Sequence, residues 1–157
     1  MVIEMDDPPP PPEVPEGLHI RSFDRDELAD VMRAGQDAFR DHWGFVERPF
    51  DEGLANWSQW IDKDPDFDPD LWFLAMDGDE IAGVCLCHQK VVEDPEMGWV
   101  NSLGVRRPWR RRGLALALLR HAFGVFYKRV KTKVGLGVDA TSLTGATRLY
   151  EKAGMHV

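Results

Sequence analysis

Val105-Arg106-Arg107-Pro108-Trp109-Arg110-Arg111-Arg112-Gly113-Leu114-Ala115 decides how this chain reads. The run before it, Trp99 to Val105, is strand-like, and the run after it, Leu114 to Phe126, is strongly helical. A glycine-containing turn from a strand into a helix N-terminus aims several unpaired backbone N–H groups in one direction. The helix dipole adds partial positive charge there. Such a turn binds phosphate or pyrophosphate. Gly113 and Ala115 are small enough to let a phosphate approach the backbone closely. Five arginines fall within residues 106–112, on a chain whose formal net charge is −8. A basic island on an acidic protein suits a small polyanion. The overall acidity argues against a nucleic-acid partner.

Working outward, the chain alternates between the two periodicities of regular structure. Leu18 to Phe23 alternates as a first strand. Asp24 and Glu27 have the spacing of a capping box, and Leu28, Val31, Met32, Gly35, Ala38 and Phe39 then follow helical spacing. Asp51 is placed to cap a second helix that puts Leu54, Trp57, Trp60 and Ile61 on one core-facing side. Leu71 to Met76 and Ile81 to Val91 read as strands joined at the turn dipeptide Asp77-Gly78. Lys133 to Asp139 is another strand, and a last helix, Leu143 to Ala153, ends at Gly154, a left-handed C-cap. The order β-α-α-β-β-β-α-β-α predicts an α/β chain of the α+β kind, with a mixed central sheet flanked by helices.

The first 17 residues differ in character. Val2 to Met5 is strand-like, and Pro8 to Pro12 is an unbroken proline run that forms an extended spacer and cannot enter a sheet interior. The division is therefore 1–17, a strand-like stub with a proline-rich linker, and 18–157, one globular domain. No apolar run approaches the ~18 residues of a membrane span, and no signal-peptide pattern opens the chain. Cys85 and Cys87 stand two apart on a strand, hence on one face. With no further Cys or clustered His they make no metal site, and they read as buried thiols of a cytoplasmic protein.

Arg110-x-x-Gly113-x-Ala115 resembles the cofactor signature of the GNAT acetyltransferase superfamily, Arg/Gln-x-x-Gly-x-Gly/Ala. A second signature follows in the order that family needs. Val138-Asp139-Ala140, then Ala146 to Met155, resembles its fifth strand and the helix that carries a tyrosine. The resemblance covers residues 18–157. Two further strands are expected in that family after the last helix, and Met155-His156-Val157 does not supply them. The proline-rich leader and the motif wording are similar to the C-terminal half of tandem bacterial proteins related to mycothiol synthase. In that reading Met1 to Met5 is the last strand of a preceding copy. Alternatively this strand, or one from another chain, covers the exposed sheet edge.

What the resemblance implies is an acetyl-CoA-dependent N-acetyltransferase acting on the amine of a small molecule. A second GNAT domain or a homodimer partner is compatible with it. The backbone of Arg110, Arg111, Arg112, Gly113, Leu114 and Ala115 would hold the pyrophosphate. One or more of Arg106, Arg107, Arg110 and Arg111 would meet the 3′-phosphate. Leu103, Gly104 and Val105 would pair with the pantetheine arm, and a backbone N–H near Gly104 or Val105 would face the thioester oxygen. Tyr150 would be the general acid, and Ser142 stands where many members carry an asparagine that contacts coenzyme A.

The general base is the open position. Asn101 and Ser102 occupy the fourth-strand sites where other members carry a carboxylate. Glu93, Asp94 and Glu96 lie on the preceding loop, and His42 and Trp43 lie between the first two helices. Trp99, on the strand entering the cleft, is the best placed tryptophan for an acceptor pocket. The competing reading is a non-catalytic, coenzyme A-binding or structural half of a tandem protein.

Overall fold

The computed structural model describes residues 1–39, 49–91, 93–137 and 146–156. Its helices and strands run β1 (Val2–Glu4), β2 (His19–Ser22), α1 (Leu28–Phe39), α2 (Phe50–Lys63), β3 (Trp72–Asp77), β4 (Glu80–His88), β5 (Met97–Val105), α3 (Leu114–Lys128), β6 (Lys133–Leu136) and α4 (Ala146–Lys152). The strands build one sheet in the order β1-β6-β5-β4-β3-β2. Strands β2 to β5 form an antiparallel meander. The β5–β6 pair is parallel, which requires a crossover, and α3 provides it. The architecture is the mixed α+β sheet that the sequence pattern predicts.

Each face of the sheet carries its own core. On one, Cys85, Cys87, Val100, Val134 and Leu136 pack beneath Leu118, Ala122, Phe123 and Phe126 of α3. On the other, Leu74, Val84 and Leu86 pack against Leu28, Val31 and Met32 of α1 and Ile61 of α2. Strands covered on both sides read as continuous apolar runs, as β3 and β4 do. Gly98 is glycine because Phe126 lies on its backbone; a Cβ there would sit 2.6 Å from the ring. Cys85 and Cys87 are buried free thiols on one face, as their spacing predicts, with sulfurs 3.6 Å apart.

The N-terminal strand takes a place in the sheet. β1 lies antiparallel on β6, with Val2 opposite Gly135 and Glu4 opposite Lys133, and His156 bridges to the other side of Val2. The proline-rich segment then leads from this side of the sheet to β2 at the opposite edge. Pro9, Pro12 and Pro15 are partly buried while Pro8, Pro10 and Pro11 are exposed. The three-residue spacing of these inward prolines matches the three-residue turn of polyproline II. Among the described residues, no helix is long and apolar enough to cross a membrane.

Several local expectations change in the folded chain. Asp24 does cap, but by accepting from Asp26 N–H at 3.0 Å at the head of a short 3-10 turn. Glu27 does not complete a capping box; both its oxygens take Arg21, each at 2.9 Å, a bidentate geometry that outcompetes a single N–H. Pro49, not Asp51, precedes α2, and Asp51 lies inside the first turn, where its charge meets the helix dipole. Trp57 packs on Trp72 with ring centroids 5.7 Å apart. Trp60 is 46% exposed rather than core, because α2 presents it past the sheet toward Phe67 and His88. Gly154 holds φ 98° at the end of α4, the left-handed cap that the sequence predicts.

At the end of α3 the same kind of cap carries the wrong residue. Lys131 N–H bonds Phe126 O at 2.9 Å and Val130 N–H bonds Tyr127 O at 3.0 Å, which is the Schellman pattern. Val130 occupies its left-handed position with φ 64° and is 85% exposed, so it bears strain with no compensating packing. Val130→Gly is therefore expected to raise unfolding free energy by about 0.5–1 kcal/mol, after the entropy that glycine adds to the unfolded chain. Urea denaturation of the two proteins checks this; an unchanged or lower midpoint contradicts it.

Candidate active site

Among the described residues, the sheet opens at one place. β4 and β5 stay paired as far as Gly83↔Val105, but the β5–β6 register ends at Val100↔Leu136. The opening begins where the β4–β5 register shifts, Leu86 facing Ser102 and Cys87 facing Val100, so that Asn101 is an extra residue on β5. Above this bulge, Arg106 N–H donates to Ala82 O at 2.9 Å. Antiparallel alternation then turns the backbone of Gly104 and Ser102 toward β4 and that of Leu103 and Val105 away from it. Among the described residues, the polar groups without a strand partner thus belong to Leu103 and Val105, while Gly104 is committed to Val84. Arg110 Nε reaches Val105 O at 2.9 Å from this open side, in agreement with that polarity.

Next to the opening lies the N-terminus of α3. Gly113 stands at the N-cap with φ 77° and no side-chain cap, and Arg111 also has positive φ, 65°. Ala117 N–H bonds Gly113 O at 3.1 Å, so the N–H groups of Leu114, Ala115 and Leu116 precede the first intrahelical bond. Among the described residues, chain neighbours aside, no atom lies within 4 Å of a Cβ built on Gly113. Arg111 and Arg112 are exposed at the rim, while Leu114 is buried and offers only its backbone. The uncapped donors, the helix dipole and two rim guanidiniums make an anion cradle.

Not every arginine of the cluster faces that cradle. Arg106 donates through Nε to Asp37 at 2.8 Å and through Nη1 to Ile81 O at 3.1 Å, and it stacks on Trp109. The expectation that Arg106 meets a phosphate gives way to a structural role. Arg110 likewise turns inward and bonds Ala38 O at 2.8 Å and Val105 O at 2.9 Å, so its backbone, not its head group, borders the cradle. No sequence signal announces the ties to Asp37, Ile81 and Ala38, because these partners lie far away along the chain.

Tyr150 is half-buried on α4 and packs against the core beneath α3. Burial and, after it, the proximity of Cys85 push its hydroxyl above the ordinary tyrosine value. A phenol held protonated at neutral pH can donate to a leaving thiolate.

Glu93, Asp94 and Glu96 precede the start of β5, at the end remote from Val105, roughly 27 Å away at strand rise. Asp94 is also tied to Lys133 and to Glu96 N–H. These carboxylates do not reach the opening. The shallow polar depression beside them, about 480 Å³ between Glu4, Pro95 and Lys133, lies at the same remote end. Trp99 covers Gly135, whose Cβ would meet the indole at 2.9 Å, on the face away from α3. His42, Trp43, Ser142 and the segment Val138-Asp139-Ala140 lie outside the described residues.

One histidine that the sequence did not single out stands beside Trp99. His88 is its cross-strand neighbour, with Nε2 at 3.0 Å from Asp64 Oδ2 and Nδ1 at 2.9 Å from Lys90 O. Both ring nitrogens lie within hydrogen-bond distance of an oxygen, so the ring is held from two sides. The pair pins the loop after α2 to the end of β4.

The geometry agrees with the comparisons to known proteins. Residues 28–155 match the model of the acetyltransferase (GNAT) family. The chain belongs to that family. It is 33% identical over 157 residues to a mycothiol acetyltransferase from Thermobispora bispora, covering 94% of this chain and 49% of that protein. It is 27% identical over 141 residues to N-alpha-acetyltransferase 30 of Xenopus laevis, covering 87% of this chain and 45% of that one. The solved structure of a GCN5-related N-acetyltransferase from Sphaerobacter thermophilus superposes with TM-score 0.79 at 43% identity, over 99% of this chain and 46% of that one. The chain thus spans about half the length of these relatives.

The Asp64–His88 pair gives this GNAT domain a defined acid response. Burial pushes Asp64 up, but hydrogen bonds from His88 and Asp66 N–H, with the charges of His88 and Lys90, outweigh it and hold the carboxyl below 3.8. A depressed folded value stabilises the fold above the unfolded pKa, and the contribution is lost as pH falls through the folded one. Acid unfolding followed by circular dichroism from about pH 5 to 2 is expected to be less steep in Asp64→Asn than in wild type. Equal slopes would assign the acid sensitivity to other groups.

Proposed function

We propose that this GNAT domain is an acetyl-CoA-dependent N-acetyltransferase that moves an acetyl group to the amine of a small molecule. The observation that carries the reading is the juxtaposition of an opened strand edge at Leu103 and Val105 with an uncapped helix N-terminus at Gly113. In this reading the backbone of residues 110–115 binds the pyrophosphate, Arg111 and Arg112 meet further phosphate charge, and the pantetheine arm lies along Leu103 to Val105. Ser142 adds a hydrogen bond to the cofactor. The neutral amine attacks the thioester carbon, the new C–N bond forms and the C–S bond breaks; Tyr150 donates a proton to the departing sulfur, and the proton that the nitrogen gives up passes to water, from which Tyr150 is reprotonated. Val105 N–H is the donor placed for the carbonyl oxygen as it gains charge. Acetyl-CoA is consumed as a cosubstrate, and no metal takes part.

The half-length match to the relatives supports reading residues 18–157 as one acetyltransferase unit, with residues 1–17 as the strand and strap that lead into it. The implied partner is a second such domain or a second copy of this one, in the cytoplasm, where Cys85 and Cys87 stay reduced. A second reading, a unit that binds coenzyme A without catalysing transfer, is favoured by Asn101 and Ser102, neither of which serves as a base at neutral pH.

Two measurements separate these readings. Calorimetry with acetyl-CoA is expected to give a Kd of about micromolar order for wild type. Gly113→Glu, which strains the left-handed N-cap and places a carboxylate before the donors, abolishes that heat. No heat from folded wild type rejects the cofactor site.

In a free-thiol assay across a panel of amines, Tyr150→Phe is expected to lower kcat by about a hundredfold or more. Its affinity for acetyl-CoA stays within about threefold, because the cradle is untouched. Unchanged turnover would remove Tyr150 as the acid. Binding with no thiol release from any amine would favour the non-catalytic unit.

A further inference from the structure

The turn that would hold the cofactor also holds the end of α1. Arg110 joins Ala38 O and Val105 O through one guanidinium, at 2.8 and 2.9 Å. Ala38 lies at the C-terminal end of the described part of α1, so Arg110 ties the carbonyl of that turn to the backbone before α3. Arg106 takes Asp37 of the same helical turn at 2.8 Å and Ile81 O of β4 at 3.1 Å. Its guanidinium lies 5.0 Å from the centre of the Trp109 ring, and Trp109 Nε1 donates to Asp77 at 2.8 Å. The Arg106–Asp37 pair is only 27% and 34% exposed, so its geometry is set by surrounding structure rather than by solvent. The end of α1, the open edge of β5 and the start of β4 thus meet on residues 106–110.

We infer that Arg106 and Arg110 are positioning residues that couple phosphate binding at the α3 N-terminus to the order of the last turn of α1. The inference rests on the cofactor reading above. Arg110 immediately precedes the two left-handed residues of the cradle region, Arg111 and Gly113. A phosphate held on the following N–H groups fixes that irregular backbone, and with it the position from which the Arg110 side chain extends. The same fixation holds Val105 O and Ala38 O in one frame. α1 packs on the sheet face opposite α3, so the cofactor firms a wall on the far side of the sheet from its own helix. Linkage makes the effect reciprocal: whatever loosens the end of α1 weakens the cofactor.

Hydrogen exchange read by mass spectrometry tests this, with coenzyme A as the probe and calorimetry on the same samples. Saturating coenzyme A is expected to slow amide exchange at residues 36–39 by about tenfold in wild type. Asp37→Ala and Arg110→Met are each expected to lose most of that slowing while still binding. Each should also weaken binding by up to about the same factor, although Asp37 is on α1 and outside the cradle. A merely structural tie would loosen α1 equally with and without coenzyme A and leave affinity unchanged, which overturns the coupling. Binding heat with no change at residues 36–39 in wild type also overturns it and leaves the cofactor reading standing. No binding heat from folded wild type overturns both. Should Arg110→Met fail to fold, Asp37→Ala decides, since it removes one helix-surface carboxylate.

Discussion

Among the described residues, β5 beyond Val100 keeps a hydrogen-bonded strand neighbour on one side only, and the backbone groups of Leu103 and Val105 that face away from it organise the candidate site. An unpaired strand edge inside a domain is costly unless something satisfies it. Part of that satisfaction is internal, since Arg110 takes Val105 O. The remainder faces the same way as the uncapped N-terminus of α3. Two kinds of unsatisfied backbone, one strand-like and one helical, therefore lie side by side, which suits a ligand with an extended polar arm and a phosphate group.

The opening is held by parts that do not touch it. Asn101 as the extra residue of a bulge and the parallel crossover through α3 together set the register on either side of β5. Phe126 on Gly98 fixes the height of α3 over β5, and Trp99 on Gly135 locks β5 to β6 just below the opening. Small residues at these two positions are packing decisions: the rings come closer than a Cβ allows. The arginines of the turn then tie this half of the sheet to the end of α1.

β1 gives the other edge of the sheet a comparable solution. Without it β6 would present an open row of donors and acceptors; with it, that row is paired along Val2 to Glu4. The proline-rich strap that follows loses little entropy on folding, because proline is already restricted in the unfolded chain.

The elements and their order were legible from residues 18–157, since period-2 and period-3.6 patterns are local and the glycine turn before α3 has a local physical meaning. So were the shared face of Cys85 and Cys87 and the left-handed cap at Gly154. The candidate cradle was legible as backbone, because Gly113 and Ala115 declare it. The destinations of long polar side chains were not. Arg106 and Arg110 looked like phosphate ligands in a row of arginines. Only tertiary structure brought Asp37, Ala38 and Ile81 within their reach, at separations in sequence that no pattern encodes. The loop carboxylates Glu93, Asp94 and Glu96 looked near the site because they are near β5 in sequence, yet a strand is long and rigid, and they stand at its far end. Sequence alone thus determined which backbone could bind an anion, a property of local conformation. Tertiary structure decided which side chains remain for chemistry, because that depends on which partners the fold brings to them first.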